Sequence, residues 1–199
     1  MSYTSDLDGD WSEPVKVAGG KGLPDLNVAP YIFSNGSLLA LYRNNAGTNI
    51  HILSASNWRD PATYQRSEKN LSVSIPEDPF LWRDAGGVFH SLFHAWPLEA
   101  GPHAWSEDGV MWQKAPGEGN WTDGTGMWVG PARAYPRQIT FTDAAPIMLG
   151  SRERPSLIFA EDGVTPLALV TGSNPDPQRK TDYCVTLLQP INQESSSFI

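Results

Sequence analysis

Two acidic motifs in this sequence stand shortly before prolines that open apolar runs. Glu77 and Asp78 precede Pro79, and Glu153 stands two residues before Pro155. Two carboxyl groups can act as a general acid and a general base when their surroundings push their pKa values apart, so that one is protonated and the other ionised. Asp78 and Glu153 are therefore candidates for acid–base chemistry. The structural alternatives are a strand-entry aspartate that accepts backbone N–H groups and an ion-pair cluster around Glu153.

Basic and imidazole groups lie close to these acids in the sequence. Arg152 and Arg154 flank Glu153, and neighbouring cations favour the ionised form of a carboxyl group. His90 and His94 share one face of a regular strand, because residues i and i+4 point the same way in an extended chain. Such histidines are either core or channel residues with satisfied nitrogens, or groups that bind a ligand, take up a proton or hold an ion.

The elements that must position these groups belong to a unit that occurs three times. Each copy has a proline near the head of an apolar run, a turn that contains glycine, and a second apolar run. Asn35-Gly36 and Asp162-Gly163 suit a type I′ hairpin, in which both central residues have positive φ. A third apolar run follows each hairpin, so each unit is predicted to be an antiparallel meander of three or four strands. The paired runs are 29–33 with 38–42, 78–82 with 88–93, and 154–159 with 165–170.

Repeated meanders predict an all-β fold, and specifically a β-propeller of antiparallel blades. A β-sandwich with coincidental hairpins is the alternative, but it gives no reason for a proline at the same place in each copy. Propellers usually have about four to eight blades, so this chain is an unusually small propeller, part of a larger one, or a protomer completed by a partner. We predict one domain over residues 1–192, with blades at 27–66, 76–115 and 137–192, a strand at 11–17, and a disordered tail at 193–199.

The composition argues against a nucleic-acid-binding or membrane-spanning protein. The 199 residues carry a net charge of −8 without a basic stripe, and no apolar run reaches the about 18 residues of a membrane helix. The polar N-terminus does not resemble a signal peptide. The compartment stays open, including secretion if a leader was removed. Cys184, the single cysteine, lies in an apolar run and is predicted to be a buried thiol.

Four stretches of the sequence resemble the five-bladed β-propeller glycoside hydrolases of families 32 and 43, which include invertase, levansucrase, arabinanase and xylosidase-like proteins. The similarity is greatest to uncharacterised members. The resemblance implies that the strand starts surround a central pocket with three acids. These are a base or nucleophile on the first blade, an aspartate that tunes pKa values, and a glutamic acid that donates a proton. Asp78 matches the second acid and Glu153 the third. The four stretches are 27–43, 77–82 with His90 and His94, 101–112, which includes a shortened Asp box, and 152–155.

The first blade departs from this pattern. The sequence there reads Asp25-Leu26-Asn27, and Asn27 cannot act as a base or nucleophile. Asp25 is the remaining candidate if its loop folds inward. The resemblance therefore implies either a glycosidase whose first acid is replaced, or a propeller that binds glycans without cleaving them. A structural module completed by a partner chain is the third hypothesis.

The resemblance also implies what surrounds the pocket. Arginines could bind the carboxylate or sulfate groups of an acidic sugar, and aromatic rings could stack on sugar faces. No metal ligand and no cofactor are expected, although an ion such as calcium could occupy the central channel. The expected partner is a carbohydrate, without nucleic acid or membrane, and self-association is left open. The predicted substrate contacts are Asn27, Arg43, Glu77, Trp82, His94, His103, Arg152 and Arg154, with Trp121 and Trp128 as further candidates for stacking.

Overall fold

The computed structural model describes residues 8–17, 25–44, 49–72, 76–95, 101–114 and 133–191, together with residues 2, 4 and 6. These residues form fourteen β-strands and one 3₁₀ turn at Pro61–Thr63. No helix in this part of the chain is long and apolar enough to span a membrane. The strands are β1 (Asp25–Ile32), β2 (Leu38–Asn44), β3 (Asn49–Ala55), β4 (Tyr64–Ser72), β5 (Pro76–Arg83), β6 (Phe89–Ala95), β7 (Gly101–Ser106), β8 (Gln113–Lys114), β9 (Arg133–Tyr135), β10 (Gln138–Ile139), β11 (Ile147–Met148), β12 (Ser151–Phe159), β13 (Pro166–Asn174) and β14 (Val185–Pro190).

The strands form three antiparallel meanders that follow one another along the chain. The first sheet is β1 to β4, the second is β5 to β8 with β9 added beside β7, and the third is β12 to β14. β10 and β11 form a separate hairpin between the second and third sheets. The three sheets overlap the ranges predicted for blades, but the first extends to Ser72 and the second includes β9. Residues 11–17, for which an outer strand was expected, have no regular secondary structure and are mostly exposed.

Apolar side chains pack the three sheets against one another. β5 contacts β1 on one side and β12 on the other. Leu41, Ile50 and Phe93 belong to the buried core shared by the first and second sheets. Leu92 and Tyr135 belong to a second core, which also contains side chains of the third sheet. Because β5 lies between β1 and β12, features at the same point of these three strands come close together.

Each hairpin between the first two strands of a sheet turns on one left-handed glycine. The amides of Gly36, Gly87 and Gly163 each donate to the carbonyl oxygen three residues earlier at 2.9 to 3.0 Å. Their φ angles are 82°, 88° and 72°. Asn35 and Asp162 do not have positive φ, so the predicted type I′ turns are wrong. The hairpins instead use a turn followed by a single left-handed residue, a position that glycine occupies without steric cost.

The expected Asp box is a structural turn, whereas the cysteine is not a core residue. Asp108 Oδ1 accepts hydrogen bonds from the amides of Val110 at 2.8 Å and Met111 at 2.7 Å. The Trp112 indole packs against the core between the first two sheets, which confirms a structural role. Cys184 is exposed, so the prediction of a buried thiol is wrong. It lies just before β14, the last strand of its sheet.

Candidate functional site

A β-bulge interrupts the first strand of each sheet close to its start. The pairing register shifts between Leu26 and Ala29 in β1, Glu77 and Phe80 in β5, and Glu153 and Ser156 in β12. In each bulge two residues oppose one residue of the neighbouring strand. The first bulge residues are Asn27, Asp78 and Arg154, with φ angles of 51°, 48° and 51°. The three positions are therefore equivalent in both pairing and backbone conformation.

The bulges correct the alignment that the prolines suggested. Pro79 and Pro155 are both second bulge residues, but Val28 holds that place in the first sheet, and Pro30 pairs further along with Ala40. A bulge adds a residue that a pattern of apolar runs does not reveal. As a result, Asp78 is equivalent to Arg154 and Asn27, and Glu153 is equivalent to Glu77 and Leu26.

Side chains of the first two sheets join at these bulges. Asn27 Nδ2 donates a hydrogen bond to Asp78 Oδ1. Arg43, on β2, donates from Nη1 to Glu77 Oε1. His94, on β6, is buried, and its Nδ1 lies 3.8 Å from Glu77 Oε2. The structure thus brings together five of the residues that the sequence singled out.

Asp78 lies in an environment that favours its protonated form. Burial raises the pKa of Asp78 above its ordinary value, and the neighbouring carboxylates of Glu77 and Glu153 act in the same direction. His94 and Arg154 partly oppose them. Asp78 therefore holds a proton over a wider pH range than an ordinary aspartic acid. The influence of Glu153 and Arg154 also places the start of the third sheet near the same carboxyl group.

Glu153 has a basic partner that the sequence analysis missed. Arg179 Nη2 lies 3.7 Å from Glu153 Oε1. Arg179 follows β13 in a turn closed by its amide, which donates to the Asp176 carbonyl at 2.9 Å. It also has a left-handed backbone, with φ of 53°. The prolines on either side of Asp176 predict a turn, but nothing in the sequence places that turn beside Glu153.

Arg152 belongs to the packing of the third sheet and not to the site. Its side chain is completely buried. It donates to the Pro136 carbonyl at 2.9 Å, to Gln189 Oε1 at 3.1 Å and to Thr171 Oγ1 at 3.4 Å. Its guanidinium carbon lies 5.0 Å from the centre of the Tyr135 ring. Because no face of Arg152 is open to a ligand, we do not retain it as a substrate contact.

Trp82 and His103 lie toward the turn end of the second sheet. His103 Nε2 is 3.0 Å from His90 Nδ1, and His90 Nε2 is 3.1 Å from Asp84 Oδ2. The Trp82 ring stacks on both imidazoles, at 5.1 Å from His90 and 5.8 Å from His103. Burial, with a smaller effect of His90, lowers the pKa of His103 to about 4. These side chains form their own cluster, so we leave them out of the candidate site.

Three further predictions fall outside the described side chains. The backbone of Asp25 lies in β1 opposite Asn44, but its side chain is outside the described part of the structure. The same holds for Trp121 and Trp128 and for the tail at 193–199. Their proposed roles stay predictions.

The acids and the histidine of the site form a group of potential cation ligands. Glu77, Asp78 and His94 each offer a ligand atom, all within 4.8 Å of one another. Calcium takes about six to eight oxygen ligands, whereas this group offers two carboxylates and one imidazole nitrogen. Arg43 already binds the Glu77 carboxylate. The donor set does not fit calcium, and no chemical step is assigned to an ion here.

Comparison with solved structures decides the fold. An exo-β-1,3-galactanase from Clostridium thermocellum matches 96% of this chain with a TM-score of 0.56 at 12% sequence identity. A xylan β-1,4-xylosidase from Bacillus halodurans matches 96% with a TM-score of 0.58 at 16% identity. An α-L-arabinofuranosidase from Lactobacillus brevis matches 93% with a TM-score of 0.52 at 15% identity. The chain has a β-propeller fold.

The propeller of this chain spans only part of those proteins. It covers 39% of the galactanase, 35% of the xylosidase and 58% of the arabinofuranosidase. The predicted all-β propeller fold is confirmed. No family model matches the sequence, and no curated protein matches it either.

Proposed function

We propose that this propeller binds a glycan at the bulged strand starts and hydrolyses a glycosidic bond with Asp78 and Glu153. The proposal rests on the environment of Asp78, whose pKa is raised by burial. The second acid, Glu153, forms an ion pair with Arg179. Two carboxyl groups in opposite protonation states are what glycoside cleavage requires. Similarity of the fold to a galactanase, a xylosidase and an arabinofuranosidase supports a glycan as the ligand.

The environments of the two acids favour a division of roles that differs from the sequence expectation. Asp78, in its protonated form, donates a proton to the glycosidic oxygen as the bond from that oxygen to the sugar carbon breaks. Glu153, which lies 3.7 Å from Arg179, accepts a proton from the attacking water or attacks the sugar carbon itself. Asn27 orients the Asp78 carboxyl group through its hydrogen bond. The proton donor is therefore Asp78 and not Glu153.

A non-catalytic glycan-binding propeller is the second candidate. The observation in its favour is Asn27, an amide at the bulge position equivalent to Asp78 in the first sheet. An amide can hydrogen-bond a sugar hydroxyl but cannot exchange a proton as an acid or base does. In this alternative Asn27, Asp78 and Glu153 bind hydroxyl groups, and no bond is cleaved.

The test measures product release from three substrates chosen after the structural neighbours. These are 4-nitrophenyl β-D-xylopyranoside, 4-nitrophenyl α-L-arabinofuranoside and β-1,3-galactan. We expect turnover by the wild type to fall at least about 100-fold in Asp78→Asn and in Glu153→Gln. Exposed Glu107 provides the matched control, since Glu107→Gln removes a carboxylate of the same blade away from the site and should leave turnover unchanged.

The pH profile separates the two roles. A proton donor is needed in its protonated form, so turnover should fall as the pH rises through the raised pKa of Asp78. In Asp78→Asn any residual turnover should lack this fall. Glycan binding without product from the wild type would support the binding-only candidate. Unchanged turnover in both acid variants would overturn the assignment of the site.

A further inference from the structure

Three guanidinium groups face the three carboxyl groups of the site, so protonation of one carboxyl group leaves one positive charge without a carboxylate partner. Arg43 is paired with Glu77, and Arg179 with Glu153. Asp78 must be protonated before it can donate a proton, and it is then neutral. The remaining group is Arg154, whose positive charge has no carboxylate partner in that state. In that state the site carries one excess positive charge, although the net charge of the whole chain is −8.

Arg154 is free to bind a ligand. Its side chain is exposed, and within the described part of the chain its guanidinium forms no hydrogen bond or ion pair. Its electrostatic effect on Asp78 indicates that the positive charge acts at the acid group. An arginine in this setting presents a planar fork of N–H donors that matches a carboxylate or sulfate.

The backbone at Arg154 is unfavourable for an arginine, although asparagine and aspartate tolerate the same conformation better. Its φ of 51° lies in the left-handed region, where glycine would fit without steric cost. The chain does use glycine at the left-handed positions of its hairpins, such as Gly163 in the same sheet. Strained residues that persist in a fold cluster at functional sites. Because the Arg154 side chain is exposed and forms no hydrogen bond or ion pair within the described residues, its guanidinium is available to a group outside the chain.

We propose that the glycan bound at this site carries an anionic substituent, a uronic acid carboxylate or a sulfate ester, and that Arg154 binds it. The anionic group would lie next to the sugar whose glycosidic oxygen faces Asp78. This inference rests on the proposed glycan-binding function and adds the class of substrate. A propeller that binds an anionic substituent differs in specificity from one that contacts only the neutral hydroxyl groups of a sugar.

The test begins with a glycan array that displays neutral, uronic-acid-containing and sulfated oligosaccharides. The wild-type protein should bind members that carry a carboxylate or a sulfate at least 10-fold more tightly than their neutral counterparts. Titration calorimetry then compares trigalacturonic acid, galactotriose and a 6-sulfated galactotriose, which separates the two anion sources. Binding of the preferred anion should weaken as salt is added, because the contact is electrostatic.

The variant that isolates the charge is Arg154→Gln, which keeps a long polar side chain at the same backbone position. It should reduce the preference for the anionic oligosaccharide at least fivefold while leaving neutral binding unchanged, and Arg154→Lys should restore part of it. Arg59→Gln, which removes an exposed arginine stacked on Trp58 outside the site, is the matched control and should keep the full preference.

The outcomes distinguish this inference from the proposed function. Equal binding of neutral and anionic glycans, or a preference that survives Arg154→Gln, overturns the anionic substituent and leaves glycan binding standing. Absence of binding to every glycan on the array overturns both proposals.

Discussion

The two ends of each blade place different kinds of residue at their left-handed backbone positions. At the turn end, left-handed positions are occupied by glycine, which costs nothing sterically. At the other end, left-handed positions carry full side chains that meet at the acid group. The turn end therefore avoids backbone strain through glycine, whereas the bulge end accepts strain at Arg154 and Arg179, since only asparagine and aspartate tolerate this conformation well. Within the described residues, the left-handed glycines are Gly36, Gly87, Gly109 and Gly163, and the others are Asn27, Asp78, Arg154 and Arg179.

Arg152 and Arg154, which are two residues apart in β12, show a related contrast. Arg152 is buried and hydrogen-bonded to oxygen atoms of Thr171, Pro136 and Gln189, whereas Arg154 is exposed and has a left-handed backbone. Arg152→Ala should lower the free energy of unfolding by about 4 kcal/mol, because it opens a cavity and leaves buried acceptors unsatisfied. Arg154→Ala should change it by less than about 0.5 kcal/mol. Urea unfolding followed by tryptophan fluorescence measures both, and similar losses in the two variants would contradict the contrast.

The cluster of His90 and His103 at the turn end predicts how the free energy of unfolding depends on pH. The pKa of His103 is lowered from 6.5 to about 4 by burial, so the unfolded chain binds a proton more readily than the folded one. The stabilising effect of neutral His103 is fully present above pH 6.5 and is lost as the pH falls toward 4. The shift corresponds to about 3 kcal/mol over this window. Unfolding free energies measured from pH 7 to pH 4 should show this decline.

His103→Gln removes the titrating group and provides the control. The difference in unfolding free energy between wild type and variant should shrink by most of that amount as the pH falls from 6.5 to 4. Carboxyl groups elsewhere in the chain titrate in the same way in both proteins. Their contribution therefore cancels in the difference between the two unfolding free energies. A difference that stays constant with pH would show that His103 does not titrate in this way.

Much of the fold follows from the sequence because apolar runs and glycine turns are local signals. The three meanders overlap the predicted ranges, and the turn around Asp108 is structural, as its sequence indicates. The pairing register at the strand starts cannot be predicted from the sequence in the same way, because a bulge adds a residue without changing the apolar pattern. The sequence pattern therefore aligns Pro30 with Pro79, whereas Val28 holds the equivalent position in the structure.

The candidate site was predictable in part for the same reason. Asp78, Glu77 and His94 stand in motifs on adjacent strands, and the sheet brings them together. The sequence does not predict the contact between Arg179 and Glu153. Arg179 lies in a turn that follows the next strand, and only the tertiary fold brings that turn close to Glu153. The opposite burial of Arg152 and Arg154 depends on the bulge between them and the sheet packing, which no local pattern reveals.

The most direct test of the central claim is the unfolding free energy of Arg154→Gly at pH 7 without ligand, with Gly163→Ala as its matched control. Both positions are left-handed residues of the third sheet, and a Cβ atom at Gly163 would meet nothing within 4 Å, so the control reports backbone strain alone. Gly163→Ala should destabilise the protein by about 1 kcal/mol, whereas Arg154→Gly should stabilise it by about 0.5 to 1 kcal/mol. A loss of stability in Arg154→Gly as large as that in Gly163→Ala would show that Arg154 serves the fold, and would contradict the account.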